Sequence, residues 1–305
     1  MRKNRMLRRY RPKRDFSKKM NTVLSLLALL ILLPVLITIL YQKMQLEELL
    51  GADIQNNAES EEQLVGIVAK EININAAEEC IKAQSIIART NLYAAIADGT
   101  KEPEGMSVEE MRDLWGEDFQ KNYERLETYC KETAGKTLKY RENYIYAAYH
   151  AVSAGNTRNM AELFPDTDMP YLVSVPCHED IVAPEYLSVN FWEAPDFLEI
   201  CQKAFPEVGI ESVESVQILK KDSAGYVLEV QVGQTTCSGE EFRNKLGLNS
   251  ASFSIAYIDG NVRIVSMGLG HGLGLSQYTA EKMAETGKNY EEILQYFYPG
   301  AVITE

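Results

Sequence analysis

QLVGIVAKEININAAEECIKAQSIIARTNLYAA, residues 63–95, joins a short apolar element to a long helix. Residues 64–70 are apolar up to Lys70, and from Ala76 to about Ala97 nothing interrupts a helical pattern. Asn75 is a suitable N-cap with Glu78 at N3, close to a capping box, and Gly99 supplies the stop. Lys82, Ser85 and Arg89 form one polar stripe along this otherwise apolar helix. Glu71 sits just before it. The chain has 44 acidic residues and most are solvated surface, but the apolar segment before Glu71 and the helix after it should half-bury this one. A structural ion pair with the stripe and a catalytic role compete for it.

Downstream, Ser107–Glu132 is a second helical region broken at Gly116. TLKYRENYIYAAYHAV, residues 137–152, changes to strand texture with a turn at Arg141–Asn143. Residues 158–206, rich in Pro, Asp and aromatics, read as loops with a helix near Asp196–Ala204. VESVQILKKDSAGYVLEVQVG is two strands joined at Asp222–Gly225, and SFSIAYIDGNVRIVSMG repeats the design with Asp259–Gly260 as its turn. Ser276–Tyr298 reads as two short helices parted by Gly287. The fold class is α+β: one domain with a long early helix, antiparallel hairpins and closing C-terminal helices.

Upstream lies a different composition. The net charge of −13 conceals ten Lys/Arg and one acid in residues 1–19, or +9, leaving 21 bases against 43 acids, or −22. An acidic body argues against nucleic acid as a partner, because a phosphate backbone needs a basic folded surface. Thr22–Tyr41, TVLSLLALLILLPVLITILY, is uncharged, and twenty helical residues at about 1.5 Å each span the roughly 30 Å hydrocarbon core. A soluble buried helix would seldom have such flanks, and YQKMQLEELL offers no small-x-small cleavage site. The expected organisation is therefore a basic cytoplasmic head (1–21), a transmembrane helix (22–41), a stalk (42–60) and an extracytoplasmic domain (61–305).

Five widely spaced cysteines without a CxxC read as buried free thiols. Of three histidines, His271 lies in GLGHGLGLSQ, residues 268–277, where glycine recurs at alternate positions. That spacing is no phosphate loop. It clears one side of the chain for another backbone or an elongated ligand, and a tight packing loop is the competing reading. Ser276 can cap the next helix. A zinc site from Cys177, His178 and His150 is conceivable by residue type, yet local ligand spacing is absent, so no cofactor is expected.

These segments together resemble the stage II sporulation protein D (SpoIID) family. Residues 63–95 are similar to its signature, with Glu71 on the catalytic glutamate, Lys82-Ala83-Gln84 on Lys-Ala-Gln and Ala88-Arg89-Thr90 on Ala-Arg-Thr. YHAVSAGNT (149–157), PYLVSV (170–175), FRNKLGLNSASFSI (242–255) and residues 268–300, with Gly-His-Gly-x-Gly-x-Ser-Gln, supply four further blocks in order. Departures include Asn73 for Pro, Asn91 for Tyr, Ala151 and Ala154 for Ser and Gly, Leu269 for an aromatic, and Thr279 for a common Gly. The acidic stretch 105–133 also differs from the usual connection.

The resemblance implies a lytic transglycosylase that cleaves the N-acetylmuramic acid–N-acetylglucosamine bond of peptidoglycan without water, leaving a 1,6-anhydro end. Simple hydrolysis usually needs two carboxylates; here the sugar's C6 hydroxyl is the nucleophile, so Glu71 alone can serve as acid and then base. It also implies that Arg89, Lys82, Gln84, His150, Ser153, His271, Ser276 and Gln277 line a glycan groove, with Gly270 and Gly272 allowing close approach. Because a nearby cation would oppose protonation of Glu71, Arg89 is expected to meet substrate or a helix-side acceptor rather than pair with Glu71. The implied setting is the engulfing membrane of a sporulating cell, with an amidase and a membrane partner. A non-catalytic glycan-binding amidase enhancer and an engulfment scaffold are the rival readings.

Overall fold

The computed structural model describes residue 61 and residues 63–304. The basic head, the apolar span Thr22–Tyr41 and the stalk lie outside the described residues, among which no helix is long and apolar enough to cross a membrane. The described residues form one compact unit of mixed helix and sheet with two cores.

The first core surrounds the long helix. A short helix, α1 (residues 63–71), delivers Glu71 at its end, and α2 (Glu78–Asp98) follows. The N-cap is Ala77 rather than the expected Asn75, and no side chain caps it. Asn73 instead accepts the Asn75 N–H in a local turn (2.9 Å), while Glu281 accepts the Ala77 N–H from 204 residues away (2.7 Å). A tertiary carboxylate thus does what a local cap would do. Gly99, at φ +62°, ends the helix as expected.

Ile81, Ile86, Ile87 and Leu92 of α2 are wholly buried, each burial contributing about 1.5–3 kcal/mol. Ser107 opens α3 (Val108–Trp115) with a full capping box to Glu110. The helical region breaks at Gly116 as the sequence predicts, before α4 (Phe119–Glu132). Strand β1 (Thr137–Tyr140) turns through Arg141 and Glu142, both at positive φ, into β2 (Asn143–Tyr144). The short β3 (Tyr149–His150) and α5 (Met160–Leu163) complete the first half.

The second core lies between two three-stranded antiparallel sheets and two helices. Strand β4 (Leu187–Glu193) leads into α6 (Ala194–Ala204). The hairpin β5 (Val216–Lys221)–β6 (Val227–Val232) adds β7 (Thr235–Ser238), and α7 (Gly239–Leu246) precedes the hairpin β8 (Phe253–Ile258)–β9 (Asn261–Met267). The sheet orders are β4-β9-β8 and β5-β6-β7. Phe205, Phe242 and Phe253 stack through this core, with centroids 6.1 and 5.4 Å apart.

The loop reading of residues 158–206 needs one correction, because β4 is a regular strand paired over seven residues with β9. Its alternation is inverted: Leu187, Val189 and Phe191 face solvent at about 60 % exposure while Ser188 and Asn190 point the other way. Pairing with a strand some 70 residues later, and no local apolar face, made it a strand.

The chain returns to the first core through β10 (Leu275–Ser276), α8 (Gln277–Glu285), α9 (Tyr290–Phe297) and β11 (Val302–Thr304). Ser276 caps α8, as expected, by accepting the Thr279 N–H. Strand β10 pairs in parallel with β3, setting Leu275 beside Tyr149 and Ser276 beside His150. Arg158 fastens the two cores together. It is buried against Asp222 and Glu240, both at 2.7 Å, with its guanidinium over the Tyr226 ring.

All five cysteines are free thiols, four of them buried.

Candidate active site

Glu71 is half-buried where three separate segments meet. Gln84, on the face of α2 that looks back at α1, donates its Nε2–H to Glu71 Oε2 (2.9 Å). Gln277, at the start of α8, donates to the Glu71 main-chain carbonyl (2.8 Å) and to Gln84 Oε1 (3.3 Å). Tyr149, brought up by the β3–β10 pair, hydrogen-bonds the Glu71 carboxyl through its hydroxyl. One glutamine amide and a tyrosine thus hold the carboxyl without a charge partner in contact, and a second glutamine holds the backbone and the first.

Desolvation raises the pKa of Glu71 from its ordinary value, against the Gln84 and Tyr149 hydrogen bonds and the Lys70 charge, which lower it. Such a carboxyl holds a proton longer than a solvated one and so suits a general acid. Two cavities open beside it, of about 540 and 530 Å³, and share Glu71, Lys101, Pro103 and Tyr149. A third, of about 390 Å³, begins at Ile72, Asn73 and Gln277.

One wall of the first two cavities is the strap Thr100–Gly105. Met106 N–H bonds to the Gly66 carbonyl (2.9 Å), and side chains at Gly66 or Gly105 would collide with the facing backbone. Their absence lets the strap cross α1 in contact, where Lys70 reaches Glu104 (3.4 Å).

The polar stripe of α2 faces elsewhere. Lys82 binds Glu78, Glu79 and Glu132, about 200° around the helix from Gln84. Arg89 is wholly buried, with its Nη2 donating to Glu61 Oε2 (2.9 Å) and to the Cys130 carbonyl (2.9 Å), and Nη1 to the Lys136 carbonyl (3.2 Å). It does not pair with Glu71, as expected. Its helix-side acceptors also keep it from any substrate, which corrects its placement in the groove. Neither the stripe nor an ion pair of Glu71 with it forms the site.

The glycine loop likewise packs against protein. A side chain at Gly270 would lie 2.7 Å from the His150 Cβ, and one at Gly272 would overlap the Tyr226 ring. The space that these glycines free is filled from within, so the packing-loop reading holds in place of close ligand approach. Gly272 also sits at φ +82°. Gly272→Ala is therefore expected to cost about 2–4 kcal/mol in urea unfolding, through strain plus overlap.

His150 donates from Nδ1 to the Leu273 carbonyl (3.0 Å), and its Nε2 has no partner among the described residues. His271 accepts the Leu273 N–H at Nδ1 (3.0 Å). Burial pushes His150 down to about 3 and His271 to about 4, aided by the neighbouring His271 and by Arg243 and Arg158 respectively. Both imidazoles are neutral at pH 7. Among the described residues no group of three or more ligating side chains could hold a metal ion, and Cys177 and His150 are not brought into one.

Ser153 and Ser276 converge on a residue the sequence reading passed over. Asp180 is wholly buried; it accepts from the Ser153 N–H (2.6 Å), the Ser276 hydroxyl (2.8 Å) and the Thr279 hydroxyl (2.7 Å). Asp180→Ala would strand three donors, and we expect it to cost at least about 3 kcal/mol by thermal unfolding. Tyr149 was also passed over, although it directly precedes His150 in a block already singled out. No local signal separated its ring from those of Tyr144 and Tyr146.

The family model described as SpoIID, Stage II sporulation protein, matches residues 50–140. Stage II sporulation protein D of Bacillus amyloliquefaciens is 30 % identical over 263 residues, covering 82 % of this chain and 75 % of that protein. Its counterpart in Bacillus subtilis (strain 168) is 29 % identical over 264 residues, with the same coverage of 82 % and 75 %. A Bacillus subtilis protein named amidase enhancer is 23 % identical over 292 residues, covering 79 % of this chain but 40 % of its own length.

Proposed function

The chain belongs to the stage II sporulation protein D family, and on that premise we propose that it is a peptidoglycan lytic transglycosylase with Glu71 as its acid and base. The observation that carries the reading is the single half-buried carboxyl with a raised pKa, held by Gln84 and Tyr149 at the edge of open cavities.

Protonated Glu71 donates to the glycosidic oxygen as the muramic acid C1–O bond breaks. The resulting carboxylate accepts the proton of that sugar's C6 hydroxyl as C1–O6 forms. The proton returns to Glu71 and no water is consumed. Gln84 steadies the carboxylate between these steps, and Gln277 fixes the backbone on which it rides. A fixed second carboxylate, which a hydrolase would need to activate water, is not called for.

The reading extends to the setting. Thr22–Tyr41 is the single-pass anchor of the domain 61–305, with the basic head cytoplasmic and the domain extracytoplasmic at the engulfing membrane of a sporulating cell. A sporulation amidase that strips stem peptides and a membrane protein are its partners there.

Likeness to the amidase enhancer favours a second reading, a glycan-binding stimulator of an amidase. Full-length chain incubated with peptide-free glycan strands, with products weighed by mass spectrometry, separates the two. Anhydro-muramic ends are expected. Intact strands, together with a faster companion amidase, would establish the second reading instead.

A further inference from the structure

Of fifteen large apolar side chains that stand exposed among the described residues, five fall between residues 181 and 191: Ile181, Val182, Leu187, Val189 and Phe191. The last three share the outer face of β4, where the register sets them beside Met267, Val265 and Arg263 of β9. Strand β4 is also the edge of its sheet. Among the described residues no hydrogen bond outside the β4–β9 ladder reaches residues 187–192, so alternate N–H and C=O groups along this edge have no protein partner. Natural edge strands are usually blunted by lysine, proline, a bulge or shortness, because a bare edge is a template for another strand. Strand β4 has none of these. It runs for seven residues in unbroken register with β9, without a proline or a lysine.

We propose that β4 is a dimerisation strand, and that its occupant is β4 of a second copy of this chain, paired antiparallel about a twofold axis at Asn190. The inference does not depend on the reaction proposed at Glu71. The sequence of the strand is complementary to itself in this register. Val189 falls opposite Phe191 of the second copy, an aromatic–β-branched pair that recurs on the other side of the axis. Glu193, the one charge of the strand, meets Leu187 of the second copy rather than its own twin. Charge over the rest of the molecule points to the same place. Beyond residue 19 the chain carries 43 acids against 21 bases, so two copies repel over most of their surface. Strand β4 offers no acid from 187 to 192, and Arg263 stands exposed beside Phe191. Approach is least opposed there. Both copies use the same edge, so each satisfies the backbone groups of the other and the assembly closes at two.

Sedimentation velocity of the full-length chain in a non-ionic detergent reads the association, and a dimer that dissociates on dilution is expected. Val189→Lys combined with Phe191→Lys puts like charges opposite each other on both sides of the axis. It should weaken the dimer at least about tenfold. Thermal unfolding should stay unchanged, because both side chains are exposed. Register is read separately, by cross-linking under mild copper–phenanthroline oxidation with the parent chain as background. Asn190→Cys should give a disulfide-linked dimer, since Cα atoms facing each other across the axis lie about 4.5–5.5 Å apart. Leu187→Cys should not, because its twin lies about 20 Å away along the paired strands. A monomer at all concentrations, species larger than a dimer, or a dimer that survives the two lysines would each overturn the proposal. So would cross-linking through Leu187→Cys in preference to Asn190→Cys.

Discussion

Glu71→Gln is expected to lower the release of 1,6-anhydro ends by about 10²–10⁴-fold while leaving glycan binding in place. The amide keeps the size of the carboxyl and a partner for Gln84, but it can neither give nor take the proton. The same substitution should stabilise the fold at neutral pH. The folded-state pKa of Glu71 is raised by desolvation, so the ionised form is the one that the fold disfavours. Relative to the unfolded chain, this group favours folding below its unfolded pKa, and that contribution is lost as pH rises through its folded pKa. Glutamine removes the penalty, giving a gain in stability at pH 7 that disappears in acid, where the wild type is protonated. Thermal unfolding at pH 7 and near pH 4 reads this directly. A loss of stability at pH 7, or unchanged anhydro-end release, would remove Glu71 from the role.

The pH profile carries further information. Activity should fall on the alkaline side as Glu71 loses its proton. The Gln84 hydrogen bond lowers the Glu71 pKa, so Gln84→Leu should move that limb to higher pH even as misplacement lowers the maximum rate. A merely structural glutamine would lower the rate without moving the limb.

Arg89→Met is expected to destabilise the domain by about 3–5 kcal/mol, a large part of the 5–15 kcal/mol that typical domains possess. It would leave Glu61 without its cation and the Cys130 and Lys136 carbonyls without their donor. Arg89→Lys should recover little, because an ammonium cannot span a carboxylate and two carbonyls in the fork geometry of a guanidinium. Urea unfolding measures the loss, and anhydro-end release per folded molecule should stay within about twofold. Intact stability with collapsed turnover would instead restore Arg89 to the substrate groove that the family resemblance implied for it.

The sequence by itself determined a good deal. The long helix and its glycine stop, the break at Gly116, the turns near Arg141–Asn143 and at Asp259–Gly260, and the Ser276 cap are local. Each follows from propensity, turn chemistry or spacing within a few residues. Glu71 could be singled out for the same reason, since the apolar segment before it and the helix after it predict the half-burial that it has.

What surrounds Glu71 was decided only by tertiary structure. Three stripe residues at helical spacing show that they share a face but not what that face meets, and α4 and Glu61 claimed it. Alternate glycines announce that something approaches closely, yet His150, Tyr226 and two main-chain segments turned out to be what fits there. The Ala77 cap, the β4–β9 pairing, the Asp180 cluster and the Gln277–Glu71 contact join residues 204, 74, 96 and 206 positions apart. Contacts at such separations leave no trace in local periodicity, because either partner alone is compatible with many environments. Only the packing of the two cores selects one.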